Sequence, residues 1–346
     1  MTTESLIAAR KARWHDFVNG GAAPRHLFWI NCPFEDEPRP LLWRENYQAR
    51  IDWMIRKYEQ ALARTAWLDD DSVPFLDMLT GTEIFAEAFG CSLHKPLNDM
   101  PSARPLVTTA QEADRLKTPE LSNSSLAYLF DMIDEMHKRL GHKALLRMID
   151  VQSPMDISAL IWDKTEFYIA LMETPEAVTT LAAKVHELLV AFHDEWFRRY
   201  GSERIAHYPL YLMRDGITLS EDEVGCVSTD QFAEYFLPEL QTLSARYGGL
   251  GMHCCANARH QWGGFKQINN LKMLNIVHNR EMITAARSYF AVSSAQIHCW
   301  NGDGPSETWP QHFPKNSRMV IELTANSRDE AVALADKMRE ACRRSL

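Results

Sequence analysis

Gly248-Gly-Leu-Gly-Met-His253-Cys254-Cys255-Ala-Asn257 reads as a helix stopped by paired glycines and followed at once by a short strand, Leu250 to Cys254. In an extended segment residues i and i+2 share a face. His253 and Cys255 therefore point to one side and Cys254 to the other. An imidazole nitrogen and a thiolate sulfur converging on one point suit zinc, a borderline-soft ion. The alternative is that all three side chains are buried, since a free cysteine packs as a small hydrophobe. A strand that follows a helix so closely is one half of an α/β repeat, and that repeat decides the fold.

Working outward, the same alternation recurs. An N-terminal helical segment (residues 1–25) precedes a first apolar run, His26–Ile30. A helix with Ile51, Met54, Ile55, Tyr58 and Leu62 at 3–4 spacing comes next. Ala66–Asp71 reads as a second strand ending in acids, and residues 74–119 as an elaborated loop containing a helix. Ala144–Asp150 is the third strand and Ala206–Met213 the fourth, ending at Arg214-Asp215-Gly216. Ser228-Thr-Asp-Gln231 is a capping box that opens the next helix, and Pro238 should kink that helix by removing a backbone donor. After the strand at 250–254 come Met273–His278, Gln296–Trp300 and Met319–Leu323. Eight strands alternating with helices imply parallel pairing with right-handed crossovers. The expectation is an α/β fold, a single-domain (β/α)₈ barrel over residues 1–346; a doubly wound open sheet is the alternative.

The 346 residues are 46% hydrophobic, enough for one large barrel. A net charge of −9 with no basic run excludes a phosphate-neutralising surface, so no nucleic-acid partner is expected. The first residues lack a signal-peptide core, and no apolar stretch is long enough for a bilayer. A cytoplasmic protein without membrane contact is expected. Seven cysteines, odd in number and scattered apart from Cys254-Cys255, do not form a disulfide framework.

Barrel active sites lie at the C-terminal ends of the strands. Read only there, the chemistry-bearing residues are Asp69 to Asp71, Asp150, Asp215, His253, Cys255, His278 and Cys299. Imidazole and thiol ligands come from three successive strands, and neighbouring strands stand about 5 Å apart. His253, Cys255 and Cys299 form the expected metal set, with His278 as a further ligand or a hydrogen-bonding pocket residue. Because His298 and Cys299 are adjacent, only one of them turns inward. Asp215 is a candidate base, or the cap of a βα loop. Arg147, inside an apolar strand, needs a partner, for which Asp150 or a substrate carboxylate would serve. No dinucleotide fingerprint, P-loop or nucleophile elbow is present.

Taken together, Asp215-Gly216, then Ser228-Thr-Asp-Gln-Phe232 with Pro238, then Gly251-Met-His253-Cys254-Cys255-Ala-Asn257 resemble the uroporphyrinogen decarboxylase superfamily. Weaker resemblance extends over residues 69–100 and 145–178. That superfamily includes zinc-dependent methyltransferases that work with corrinoid proteins, and the chain looks closer to this branch. The stretch Asn31–Pro38 is acidic where the true decarboxylase carries an arginine cluster. The last strand runs on as Leu323-Thr-Ala-Asn326 where the methyltransferases place another cysteine. The resemblance implies a metal-dependent methyltransferase moving a methyl group between a corrinoid protein, or a small methylated compound, and a thiol. Zinc would sit on His253, Cys255 and Cys299; Asp215 and His278 would be catalytic; Asp71, Arg147 and Asn257 would hold substrate or cofactor. The candidate partners are a small-molecule substrate, a corrinoid protein and a second copy of the chain. A metal-free decarboxylase or lyase acting on a small acid, and a non-catalytic member of the superfamily, are the alternatives.

Overall fold

The apolar alternation sorts into two faces in the computed structural model, which describes residues 2–21, 25–97 and 99–344. Six parallel strands form one sheet: β1 (His26–Asn31), β2 (Ile217–Ser220), β3 (Leu250–Cys254), β4 (Leu271–Ile276), β5 (Ala295–Ile297) and β6 (Arg318–Thr324). Their order is β1-β6-β5-β4-β3-β2. Leu27, Met273, Ala295, Ile297 and Val320 meet in an inner core. Phe28, Ile30, Ile321 and Leu323 on one flank, and Leu219, Met252, Cys254 and Leu274 on the other, face the surrounding helices. Each buried aliphatic side chain contributes about 1.5–3 kcal/mol.

The sheet curls into a ring, completed between β1 and β2 by single bridges instead of ladders. Asp71 N–H donates to the Phe28 carbonyl at 2.9 Å, and Leu76 N–H to the Leu145 carbonyl at 2.8 Å. Leu146 bridges Leu76, Arg147 bridges Ile205, and Gln152 bridges Ser220, all in parallel sense. The barrel is thus the expected architecture, with two of its staves reduced to bridged segments. Two strand assignments need correction. Residues 66–68 close the helix α2 (Tyr47–Thr65), so Asp70 and Asp71 begin the second stave instead of ending it. Arg204–Ile205 and Leu212–Met213 form an antiparallel pair, and the fourth parallel strand is β2, after Asp215. Gly216, with φ +102, makes the reversal that permits this.

The helix α1 (Thr3–Val18) is capped by Thr2, whose side chain accepts from Ser5 N–H. It closes the ring at the strands' N-terminal ends. Trp14 and Phe17 enter the inner core, and the Arg318 guanidinium at the start of β6 donates to the Val18 carbonyl at 3.1 Å. The Ser228–Gln231 capping box is formed. A π-helical turn over Phe232–Phe236 precedes Pro238, which sits in the first turn of the helix that resumes at Leu237. The proline therefore marks a break between two helical pieces. No helix among the described residues is long and apolar enough to cross a membrane.

Candidate active site

Strand alternation carries three donors to one point at the barrel mouth. Leu250, Met252 and Cys254 pack outward, so His253 and Cys255 turn inward, as the spacing requires. β2 runs straight into Glu221-Asp222 and delivers a carboxylate beside them. The ligand atoms of Asp222, His253 and Cys255 all lie within 4.8 Å of one another. Cys255 N–H donates to Asp222 Oδ1 at 2.6 Å, which locks the two strand ends together.

Supporting contacts fix each donor. Asn275, inward-facing on β4, donates its amide to the Ile297 carbonyl at 2.5 Å, and its Oδ1 meets His253 Nδ1 at 2.5 Å. An acceptor on Nδ1 puts the ring proton there and leaves the Nε2 lone pair free. The Tyr208 ring stands edge-on to His253 with centroids 4.8 Å apart. Behind Asp222, the fully buried Asp156 carboxylate accepts from Asp222 N–H at 2.7 Å and Glu223 N–H at 3.0 Å. Partial removal from water, and then the Asp222 charge, push the Cys255 thiol up to about 12. A sulfur and a carboxylate crowded together in this way favour a cation between them.

Beside these donors lies a buried polar chain. Arg147 bonds Asp77 at 3.0 Å and, through Nε, the His207 carbonyl at 2.9 Å. Its partner is thus Asp77, not Asp150. His207 Nδ1 meets Thr218 Oγ1 at 3.0 Å, and its Nε2 meets Ser220 Oγ at 3.1 Å and Asp150 at 3.3 Å. Burial drives His207 well below the ordinary histidine range, with the charge of His253 adding to the effect. Burial raises Asp150 to about 6, opposed by His253 and Arg147. A cavity of about 400 Å³, lined by Trp29, Asn31, Phe75, Asp77 and Leu210, opens where the ring has only bridges.

Other expected residues lie elsewhere. Asp71 is fully buried on the outer side of β1; Arg13 holds it at 2.8 Å, Arg339 at 3.0 Å and Phe28 N–H at 3.0 Å. These bonds saturate the carboxylate, which holds the wall together. Asp215 is exposed at the opposite end of the barrel, where Lys272 at the start of β4 donates to its carbonyl at 3.2 Å. It is too far down the ring to act at the mouth. Asn257 is exposed past the strand end. Cys299, on the inward side continuing from Ile297, is exposed at the mouth; its sulfur contacts the His278 carbonyl at 3.7 Å. The buried residue of that adjacent pair is His298, which accepts from Ile276 N–H at 3.0 Å. The third donor beside His253 and Cys255 is thus Asp222, and Cys299 stands outside the cluster. His278 Nδ1 is buried without a hydrogen-bond partner.

Asp222, Asp77, His207 and Asn275 went unassigned in the sequence. Asp222 was legible, since Ile217-Thr-Leu-Ser220 is a strand-like run ending in acids. The earlier apolar run at 206–213 obscured it.

The uroporphyrinogen decarboxylase (URO-D) family model matches residues 69–297. No curated protein sequence matches the chain. Among solved structures, a methyltransferase from Methanosarcina mazei superposes with a TM-score of 0.64 at 12% identity, covering 97% of this chain and 98% of that one.

Proposed function

The chain belongs to the uroporphyrinogen decarboxylase family, and from that membership we propose that it is a metal-dependent methyltransferase whose centre is Asp222, His253 and Cys255. The observation that carries this reading is the convergence of one carboxylate, one imidazole and one thiol within 4.8 Å at the strand ends. Three protein donors with a fourth position open are the pattern of catalytic zinc. Donor atoms about 2.0–2.3 Å from an ion would need only small side-chain adjustments from these separations.

Bound there, zinc would supply a Lewis-acidic centre that lowers the pKa of an acceptor thiol. The chain does the rest. Asn275 orients His253 and Asp156 orients Asp222. The methyl group leaves its donor as the new carbon–sulfur bond forms, and the thiol proton departs. Asp150, beside His207, is placed to take that proton. The donor is a methylated corrinoid protein docked over the mouth, or a small methylated compound bound there.

The test is metal content of protein purified without added metal, followed by methyl transfer from methylcobalamin to a small thiol. Stoichiometric zinc, lost in Asp222→Ala, His253→Ala and Cys255→Ala but retained in Cys299→Ala, is expected. Metal-free wild type, or equal zinc in all four variants, would overturn the reading.

The Asp150–His207 contact favours a second reading, a metal-free lyase on a small acid with Asp150 as the proton carrier. Activity that survives chelation and is lost in Asp150→Asn would select it.

A further inference from the structure

Several arginines of this chain are buried, and their partners differ. Arg10 meets Asp70 at 3.2 Å and Arg147 meets Asp77 at 3.0 Å. Arg287, on the helix Arg280–Tyr289, is only 6% exposed yet has no carboxylate in ion-pairing range among the described residues. An unpaired buried charge costs several kcal/mol unless something compensates it. Its guanidinium donates to the Asn301 carbonyl at 3.1 Å and to that of Trp300, while Nε has no partner. The Trp300 and Phe313 rings stand 4.9 and 5.1 Å from its central carbon. Burial lowers the group to about 10, so it keeps its charge at neutral pH.

Arg204 likewise leaves its Nε without a partner and bonds only Ser202, Met213 and Gly216; what sets Arg287 apart is that it lines a cavity of about 420 Å³ shared with Trp300, Asn301, Trp309, His312 and Phe313. Further unsatisfied polar groups belong to the same wall. Trp300 Nε1 has no acceptor, and the Asn301 carboxamide oxygen, in a residue only 7% exposed, has no donor. Gly302 lets the Trp309 ring lie against the main chain, where an added Cβ would come within 2.5 Å of the ring. The one acid on the rim, Asp303, is engaged by Arg280 at 2.8 Å. The cavity is therefore aromatic, cationic at its base and supplied with spare donors. It lies between the helix Arg280–Tyr289 and the turns at 306–312, and none of Asp222, His253 and Cys255 lines it.

We propose that this cavity is a binding site for a small planar organic anion, an aromatic carboxylate, whose carboxylate compensates Arg287 and whose ring lies among Trp300, Trp309 and Phe313. Charge selects the anion through charge-assisted hydrogen bonds. The aromatic walls select a flat ring. The volume falls in the range of small-molecule sites.

Calorimetric titration of the full chain with 1-naphthoate, its neutral amide 1-naphthamide, and inorganic phosphate tests the assignment. Naphthoate should bind about tenfold or more tighter than the amide, the value of one charge-assisted contact, and phosphate weakly or not at all. Arg287→Lys and Trp309→Ala should each weaken naphthoate about tenfold with little change in Tm. Trp309 is only half-buried and gives one hydrogen bond, to the Asp303 carbonyl, so its variant remains informative if Arg287→Lys misfolds. Three results would overturn the proposal: no naphthoate binding to about 5 mM, equal binding of acid and amide, or binding unchanged in Trp309→Ala. Phosphate binding as tightly as naphthoate would overturn the aromatic class.

Discussion

The two halves of the barrel wall are built differently. From β2 round to β1, parallel ladders hold the strands, as in the six paired residues from His26↔Met319 to Asn31↔Thr324. Across the other half, single bridges and buried side chains do that work. There Asp70 and Asp71 accept from the Ile30 and Phe28 N–H groups, each at 3.0 Å, where a neighbouring strand's carbonyls would otherwise serve. The laddered half supplies rigid strand ends and presents the Asp222, His253 and Cys255 cluster. The bridged half supplies the cavity and the buried polar chain. The difference teaches that a barrel can hold side chains in fixed register on its laddered side and leave a cavity where its own hydrogen bonding is thin.

The comparison can be broken most severely at Asp71. Asp71→Ala leaves two guanidinium groups and a backbone N–H without their carboxylate, and should cost about 3–5 kcal/mol in urea unfolding. A loss below about 1 kcal/mol would mean that the bridged half does not depend on its carboxylates. Next comes the laddered side. Asn275→Leu should keep the fold but weaken zinc about 10–100-fold by equilibrium dialysis, because His253 loses the group that sets its tautomer. Unchanged affinity would remove Asn275 from the proposed site.

A smaller effect concerns Glu83, buried next to the bridged half, which burial raises to about 7 from an ordinary 4.5. A carboxyl whose folded pKa is raised binds its proton more tightly in the native state. The stability it allows is full below the unfolded value and lost as pH rises through about 7. Glu83→Gln should therefore gain about 1–3 °C in Tm relative to wild type between pH 5 and pH 8, by about 1–2 kcal/mol. A difference that is flat across that range would count against the buried acid. Smallest of all, Asp215→Ala at the exposed bottom rim should change stability by less than about 0.5 kcal/mol and leave methyl transfer unaltered.

How much of this was legible follows the same division. The laddered strands announce themselves, because unbroken apolar runs such as Met273–Ile276 and Met319–Leu323 are what a doubly covered parallel strand needs. The inward pair His253 and Cys255 follows from period two alone. The bridged half was opaque. Its staves carry charged residues at wall positions, Asp70, Asp71, Asp77 and Arg147, and hydropathy reads these as turns or strand ends. That is why the acids at 69–71 looked like a mouth, and why Arg147 drew Asp150 as a partner when Asp77 holds it. Asp215 and Asp222 were confused for a related reason. Leu210–Met213 is apolar enough for a parallel strand, and only tertiary pairing turns it into an antiparallel strap ahead of β2. Cys299 was a fair choice on alternation, which sets direction but not distance.

The latch on Asp71 has a temporal consequence. Arg13 and Arg339 grip one carboxylate from opposite ends of the sequence, and Arg318 holds the end of α1 across a sequence separation of 301. During synthesis at about 5–20 residues per second, the first helix emerges long before its partners exist. For some tens of seconds it must wait on the ribosome with Trp14 and Phe17 uncovered. Its low amphipathicity and its many charges, Arg10, Lys11, Arg13 and Asp16 among them, suit it to that wait, keeping the nascent chain in solution until the closing helix arrives.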